Sequence, residues 1–411
     1  MTYQELLNAI DKIEAPDRKA LELAEKRQAR LAKPPGSLGA LEDISVRMAG
    51  ITGRVINSIE KSCVVVMCAD NGVVCEGVAS CPQTITMAQT VNFTRRLTGV
   101  GALAESFGSE LLIVDVGIKH HIPRELYDNE PLRDTHKIVD RRLRAGTDNL
   151  AKGHAMSRDE ALRCISIGLE MADAVKNAGF DIVGVGEMGI GNTTTSAAVL
   201  SAVTGKSGEE TCGRGGGLND EGFRIKKRIV DDASRKYRNH GGLIELLDLM
   251  GKSRPGACSG GDMSEEDGKP EGRGEREAAH MMLDILAEMG GFDICAMAGV
   301  FIGAAINRMP VVIDGYISAV AAVAAYIIAP ETASYMFASH KSYERGYSLA
   351  MEILGLKPFL RLDMRLGEGS GCPIAFDIIK GACDVMKNMA TFEEAEINDE
   401  FLEEIRQGDC F

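Results

Sequence analysis

Positive charge is scarce in this chain of 411 residues: 46 Lys and Arg face 60 Asp and Glu, a formal net charge of −14. Nucleic acid and anionic membrane surfaces both demand clustered cations, so neither is expected as the main partner. An anionic substrate must therefore be met by local donors. Long apolar runs are also missing. The longest, GYISAVAAVAAYIIAP at 315–330, is too short to cross a bilayer and reads as a buried helix. No CxxC pair occurs among the 11 cysteines, and the seven histidines show no ligand spacing. No metal and no other cofactor is expected. An odd cysteine count, no metal spacing and no signal peptide predict a cytoplasmic protein. A Walker motif and a GxGxxG-plus-acid pattern are both absent, which sets aside P-loop and dinucleotide-dehydrogenase chemistry.

What is present points to an α/β enzyme. Apolar runs at 63–70 (CVVVMCAD), 111–118 (LLIVDVGI), 180–189 (FDIVGVGEMG), 309–316 (MPVVIDGY) and 359–364 (FLRLDM) alternate with helix-like segments. Continuous apolar strands between helices predict a mostly parallel sheet covered on both faces, Rossmann-like in character. The N-terminal stretch from Tyr3 to Leu31 has helical periodicity with heavy charge, and KPPGSLG (33–39) breaks it. The expected organisation is an N-terminal helical arm over 1–60 and a large α/β domain over 61–345. Residues 346–411 then supply a last strand, a site loop and C-terminal helices. The Gly-, Pro- and charge-rich run at 251–274 reads as a mobile surface insertion, and the acidic tail at 397–411 as a terminal helix or frayed end.

Three glycine-rich segments carry the chemical signals. RLGEGSG (365–371) frames one carboxylate, Glu368, with Gly367, Gly369 and Gly371 after the run PFLRLDM, read as a buried strand. In open α/β sheets ligands bind beyond the carboxyl ends of strands, which places Glu368 where chemistry is done; a solvated turn is the bland alternative. GEMGIGNTTT (186–195) leads from a strand into a helix and fits either an anion cradle or a capped glycine turn. CGRGGGLNDEGFRIKK (212–227) opens another helix, on which Lys226 either reaches back to a phosphate or is a surface lysine. Asp70 and Asp314 each end a strand before glycine and either orient sugar hydroxyls or cap helices. SHKSYERG (339–346) offers Ser339, His340 and Ser342 without a convincing nucleophilic triad.

These segments, with KPPGSLGALE (33–42), EGVASCP (76–82), GGFDICAMAG (290–299) and PVVIDGYIS (310–318), resemble the nicotinate-nucleotide–dimethylbenzimidazole phosphoribosyltransferase family. The resemblance runs from about 33 to 390, leaving out mainly 241–279 and the tail. It implies displacement of nicotinate from a ribotide by an aromatic base, with Glu368 as catalytic base and Glu187 as a second acid. Gly189, Gly191, Asn192, Thr193, Lys226, Ser342 and Gly367 are implied to hold the ribotide and its phosphate. Asp293 and Asp314 are implied as ribose or nicotinate contacts. Cys81, Gln89, Met188 and Leu366 are implied to wall the base pocket. It further implies a small helical domain made from both chain ends and a homodimer, a heterodimer with a paralogue being the alternative. Asn71, Cys81 and Met188 depart from the family pattern at the base pocket, which leaves benzimidazole, phenol or p-cresol open as the base. A heterodimeric phenol-activating subunit and a non-catalytic nucleotide sensor are the competing readings.

Overall fold

The computed structural model describes residues 1–249 and 271–398. The polypeptide enters its sheet in the middle. Strand β1 (Ser62–Ala69) is followed outward by β2 (Glu110–Gly117) and β3 (Ile138–Asp140), and the chain then returns to the other side of β1. There it lays down β4 (Ile182–Met188), β5 (Val311–Ile313) and β6 (Met336–Ala338). The spatial order is β3-β2-β1-β4-β5-β6, and every pairing is parallel. Every residue of β1 and of β4 is buried, as their Val- and Ile-rich composition requires of strands covered on both faces.

The order reverses between β1 and β4, where register pairs Met67 with Glu187 and Cys68 with Met188. Loops leaving adjacent strands there diverge to opposite sides and open a crevice. Asp70 and Asn71 lie just beyond the end of β1, while Glu187 and Met188 close β4.

The N-terminal helices pack against the last described helix, Gly371–Asn388. The charged N-terminal stretch splits into helices Tyr3–Ile10 and Arg18–Arg30, because Pro16 cannot continue a helix and Asp17 caps the next one, accepting the Ala20 N–H at 2.9 Å. Ala20, Ala24, Leu31, Ala49 and Met386 form a small second core that joins the N-terminal helices to helix Gly371–Asn388. A bridge between Leu31 and Thr391 closes the join.

Two expectations are corrected. The run 359–364 is not a buried strand, and no strand lies within 346–398. Its backbone instead pairs with 339–343 beyond the sheet edge, Leu360 N–H donating to Ser339 at 3.1 Å and Lys341 N–H to Leu360 at 2.9 Å. Leu362 is 48% exposed there. The sheet's last strand is Met336–Ala338, buried but only three residues long. The run 251–274 lies outside the described residues up to 270, and its remainder begins helix Glu271–Met289. The tail lies outside them from 399 onward.

Candidate active site

A cavity of about 260 Å³ opens at the reversal point. Its wall is built from six segments: the loops after β1, β4, β5 and β6, the RLGEGSG turn and the second glycine-rich loop at 214–218. The β4 loop supplies Glu187, Met188, Gly189, Gly191, Asn192 and Thr193. The β5 loop contributes Asp314, the β6 loop Ser342, and the β1 loop Cys81. Leu366 and Gly367 come from the RLGEGSG turn.

Glu368, Gln89, Lys226 and Asp293, singled out in the sequence, do not line this cavity. Glu368, Lys226 and Asp293 each hydrogen-bond a residue that does, and Gln89 bonds Glu368. Lys226 is fully buried, where helical spacing alone made it a surface side chain. Its Nζ donates to Thr193 Oγ1 at 2.9 Å and to the Gly213 carbonyl at 3.0 Å, so the second glycine-rich loop is tied to the first. Burial lowers its pKa. Helix Asn192–Thr204 begins beside it from Gly191, at φ +96°, with no side chain capping the helix N-terminus. A buried ammonium beside an uncapped helix N-terminus is a local positive field in an acidic chain.

Asp293 stands behind Asn192, whose Nδ2 donates to Asp293 Oδ2 at 3.2 Å and also to Glu187 Oε2. Burial pushes the Glu187 carboxyl up to about 8, and the neighbouring Asp293 carboxylate adds to the shift. Asp293 itself is raised by burial to about 6. Burial therefore favours the neutral form of Glu187, which can donate a hydrogen bond as well as accept one.

Glu368 sits one residue past the cavity wall, 5% exposed. Its backbone has φ +64°, between Gly367 at +85° and Gly369 at +90°. Three successive left-handed residues curl the turn so tightly that only the middle one carries a side chain. Donors from two helices hold that carboxylate. Oε2 accepts the Val100 N–H at 3.2 Å, in the first turn of helix Gly99–Phe107, and Oε1 accepts from Gln89 Nε2 at 3.3 Å. Burial raises its pKa, and the hydrogen bonds from Val100, Gly99 and Gln89 act the other way. Leu366 lines the cavity and reaches Gly99, where an added Cβ would lie 2.3 Å from Leu366 Cδ2 and 3.2 Å from Glu368 Oε2. Leu366 and the Glu368 carboxylate thus both pack against Gly99.

Asp314 holds this turn. Its Oδ2 accepts Gly369 N–H at 3.0 Å and its Oδ1 accepts Gly371 N–H at 2.7 Å. Asp70, which looked equivalent in sequence, is buried outside the cavity and accepts the Lys119 N–H at 2.8 Å. Sequence reasoning did not assign Arg214, His340, Glu344 or Arg365, all of which line the cavity. Arg214 and Arg365 were legible as members of the glycine-rich motifs themselves. His340 and Glu344 lie in SHKSYERG, with no spacing signal to select them.

Buried carboxyls with raised pKa values, an anion-favouring helix end and a partly apolar cavity suit group transfer on a small phosphorylated molecule. Comparison with known proteins bears on which one. A family model described as phosphoribosyltransferase matches residues 13–260 and 272–397. The chain is 44% identical over 407 residues to the nicotinate-nucleotide–dimethylbenzimidazole phosphoribosyltransferase of Clostridium perfringens (strain ATCC 13124), covering 99% of both chains. It is 40% identical to the enzyme of that name from Clostridium tetani, over 98% of each. The crystal structure of CobT from Thermus thermophilus superposes with a TM-score of 0.77 at 32% identity, covering 93% of this chain and 99% of that one.

Proposed function

Because this chain belongs to the nicotinate-nucleotide–dimethylbenzimidazole phosphoribosyltransferase family, we propose that its cavity transfers ribose 5-phosphate from nicotinate mononucleotide to dimethylbenzimidazole. The products are nicotinate and an α-ribotide. One observation carries the residue assignment: a buried carboxylate, Glu368, sits one residue beyond the cavity wall, in a turn clamped by Asp314.

The ribotide phosphate binds at the start of helix Asn192–Thr204, with Lys226, Thr193, Asn192, Ser342 and the Gly189 and Gly191 backbone around it. That reading is supported by the missing helix cap and by Lys226 Nζ, which has three protons and two protein acceptors. Fixing the anion removes most of the translational freedom of the reacting carbon. The aromatic base enters between Cys81, Met188 and Leu366, toward Gln89 and Glu368. Its ring nitrogen forms a bond to the anomeric carbon as the bond to nicotinate breaks. The electron pair of that breaking bond leaves on the nicotinate nitrogen, and the base's N–H proton passes to Glu368. A positioned base of this kind contributes roughly 10²–10⁴ to the rate. Glu187, whose neutral form burial favours, donates to a ribotide oxygen, with Asp293 and Asn192 orienting it.

We further infer a cytoplasmic homodimer, supported by nine free cysteines among the described residues and by exposed Leu97, Tyr343, Leu362 and Leu366. Light scattering after size-exclusion chromatography tests the dimer. The transfer is tested by product analysis after incubating the purified chain with nicotinate mononucleotide and a panel of benzimidazoles and phenols. Nicotinate and an α-ribotide of dimethylbenzimidazole are expected from the chain alone. Absence of nicotinate release with every base refutes the proposal.

A further inference from the structure

His340 lies on the cavity wall with its ring buried, and none of the roles assigned above uses it. Its surroundings determine which ring nitrogen carries the proton. Ser339 Oγ stands 3.0 Å from His340 Nδ1 and 3.1 Å from the Asp314 carbonyl oxygen. A hydroxyl has one proton, and a carbonyl can only accept. Both contacts are hydrogen bonds only if the serine proton goes to the Asp314 carbonyl and Nδ1–H donates to Ser339 Oγ. The Asp314 carboxylate agrees with this, since its Oδ1 lies 3.9 Å from the same Nδ1 and favours a proton there. Burial holds the imidazole neutral, lowering its pKa to about 4. A neutral ring protonated at Nδ1 is bare at Nε2.

Nε2 faces the β5 loop that forms the cavity wall. A Cβ built on Gly315 would lie 3.9 Å from His340 Nε2 and 3.8 Å from Ser342 Oγ, so the two polar atoms flank one glycine. Ser342 Oγ can still donate. His340 Nε2 cannot; it can only accept. A phosphate oxygen, having no proton to offer, gains nothing from it.

We infer that His340 is a binding residue for a hydroxyl of the substrate's ribose, accepting a hydrogen bond from that hydroxyl at Nε2, and that Ser339 is the positioning residue that sets the tautomer. The inference rests on the proposed function in taking the substrate to be a ribotide. Its consequence is selectivity. A site with a buried acceptor aimed at a hydroxyl rejects an analogue lacking that hydroxyl, because the acceptor is then left unpaired.

The test measures by calorimetry the affinity of the full-length chain for nicotinate mononucleotide and its 2′-deoxy and 3′-deoxy forms. Wild type is expected to bind one deoxy form at least tenfold more weakly than the parent. His340→Ala is expected to bind that form and the parent alike. Ser339→Ala should narrow the ratio while leaving the ring in place. A general loosening of the fold would weaken all three ligands together and leave the ratio unchanged. Equal binding of the three ligands by wild type, or an unchanged ratio in a folded His340→Ala variant, overturns the inference. Should that variant not fold, nitrogen-15 NMR of the wild-type ring decides the matter: a proton on Nε2 overturns it, and a proton on Nδ1 with a wild-type deoxy penalty sustains it. Nicotinate release is followed in the same preparations. Turnover without discrimination sinks only the His340 assignment, whereas discrimination without turnover sinks only the transferase.

Discussion

Asp314 and Gly371 are joined by the shortest hydrogen bond in the clamp on the RLGEGSG turn, Gly371 N–H donating to Asp314 Oδ1 at 2.7 Å. The same carboxylate takes the Gly369 N–H at 3.0 Å, so one side chain grips the backbone on the C-terminal side of Glu368. Burial raises the Asp314 pKa to about 7, and the amides of Gly371, Gly369 and Gly315 oppose that shift. Asp314→Asn turns one acceptor into a donor facing an N–H. A buried hydrogen-bonding group left unpaired costs about 1–3 kcal/mol. We expect an unfolding free energy lower by that amount and a kcat reduced more than tenfold. Affinity for nicotinate mononucleotide, measured by calorimetry, should change little. Unchanged kcat in a folded variant would show that the turn stands without the clamp.

Glu368→Gln keeps the size and one acceptor oxygen but cannot take a proton. Turnover is expected to fall by roughly 10²–10⁴, the usual worth of a positioned base. Ribotide affinity should stay near wild type, because Glu368 does not line the cavity, while the new amide group facing the Val100 or Gln89 donor costs about 1–3 kcal/mol of stability. A loss below tenfold would remove the carboxylate from the reaction.

The parallel sheet and its ligand-bearing edge were legible because β1, β2 and β4 are long and almost wholly apolar. Strands β3, β5 and β6 have only three residues each, too few for a periodic signal unless, as at β5, flanking residues extend the run. The run 359–364 misled for the converse reason. Its Phe, Leu and Met look like core, but the segment pairs along an edge and leaves Leu362 in solvent. Among the site residues, composition could not separate Asp70 from Asp314, since both follow a strand and precede a small loop. Only the return of the chain at 365–371 distinguishes them. The burial of Lys226 was equally invisible, because its partners Thr193 and Gly213 lie 33 and 13 residues away in the chain.

Glu187 gives the fold a pH dependence of defined sign. Its folded-state pKa of about 8 lies above the ordinary 4.5, so the folded state binds more protons than the unfolded state across that window. Stability contributed by this group is complete below pH 4.5 and is lost as pH rises toward 8. Asp293 and Asp314 act in the same direction, from 3.8 to about 6 and about 7. Urea midpoints of wild type should therefore decline between pH 5 and 8, and Glu187→Gln should flatten the decline in its upper half. An identical slope in the variant would assign the proton elsewhere.

Lys226→Met should reveal what the buried ammonium binds. Charge-assisted hydrogen bonds contribute about 1.5–3 kcal/mol, which is roughly ten- to a hundredfold in kcat/KM. That loss is expected for nicotinate mononucleotide but not for nicotinate riboside, which lacks the phosphate. Equal losses for both would mean that Lys226 only braces Thr193 and Gly213.

Gly186 is the sharpest test of how the sheet positions the acid. It lies within β4, and a Cβ built there would stand 2.3 Å from the Glu368 carbonyl oxygen and 2.7 Å from the Gly369 nitrogen. Both neighbours are backbone, so no side-chain rotation relieves the clash. The turn must move off the strand, taking the carboxylate away from Gln89 and Val100. Overpacking of this kind costs about 1–3 kcal/mol. Gly186→Ala should therefore lower the melting temperature moderately and turnover by about a hundredfold, since displacement by about an ångström is enough to misplace a base. Gly381→Ala is the control. It lies exposed in helix Gly371–Asn388 with nothing within 4 Å of the added atom, and should stabilise by about 0.5–1 kcal/mol without changing turnover. If Gly186→Ala keeps full activity, the close seating of the turn on β4 is not what aims Glu368.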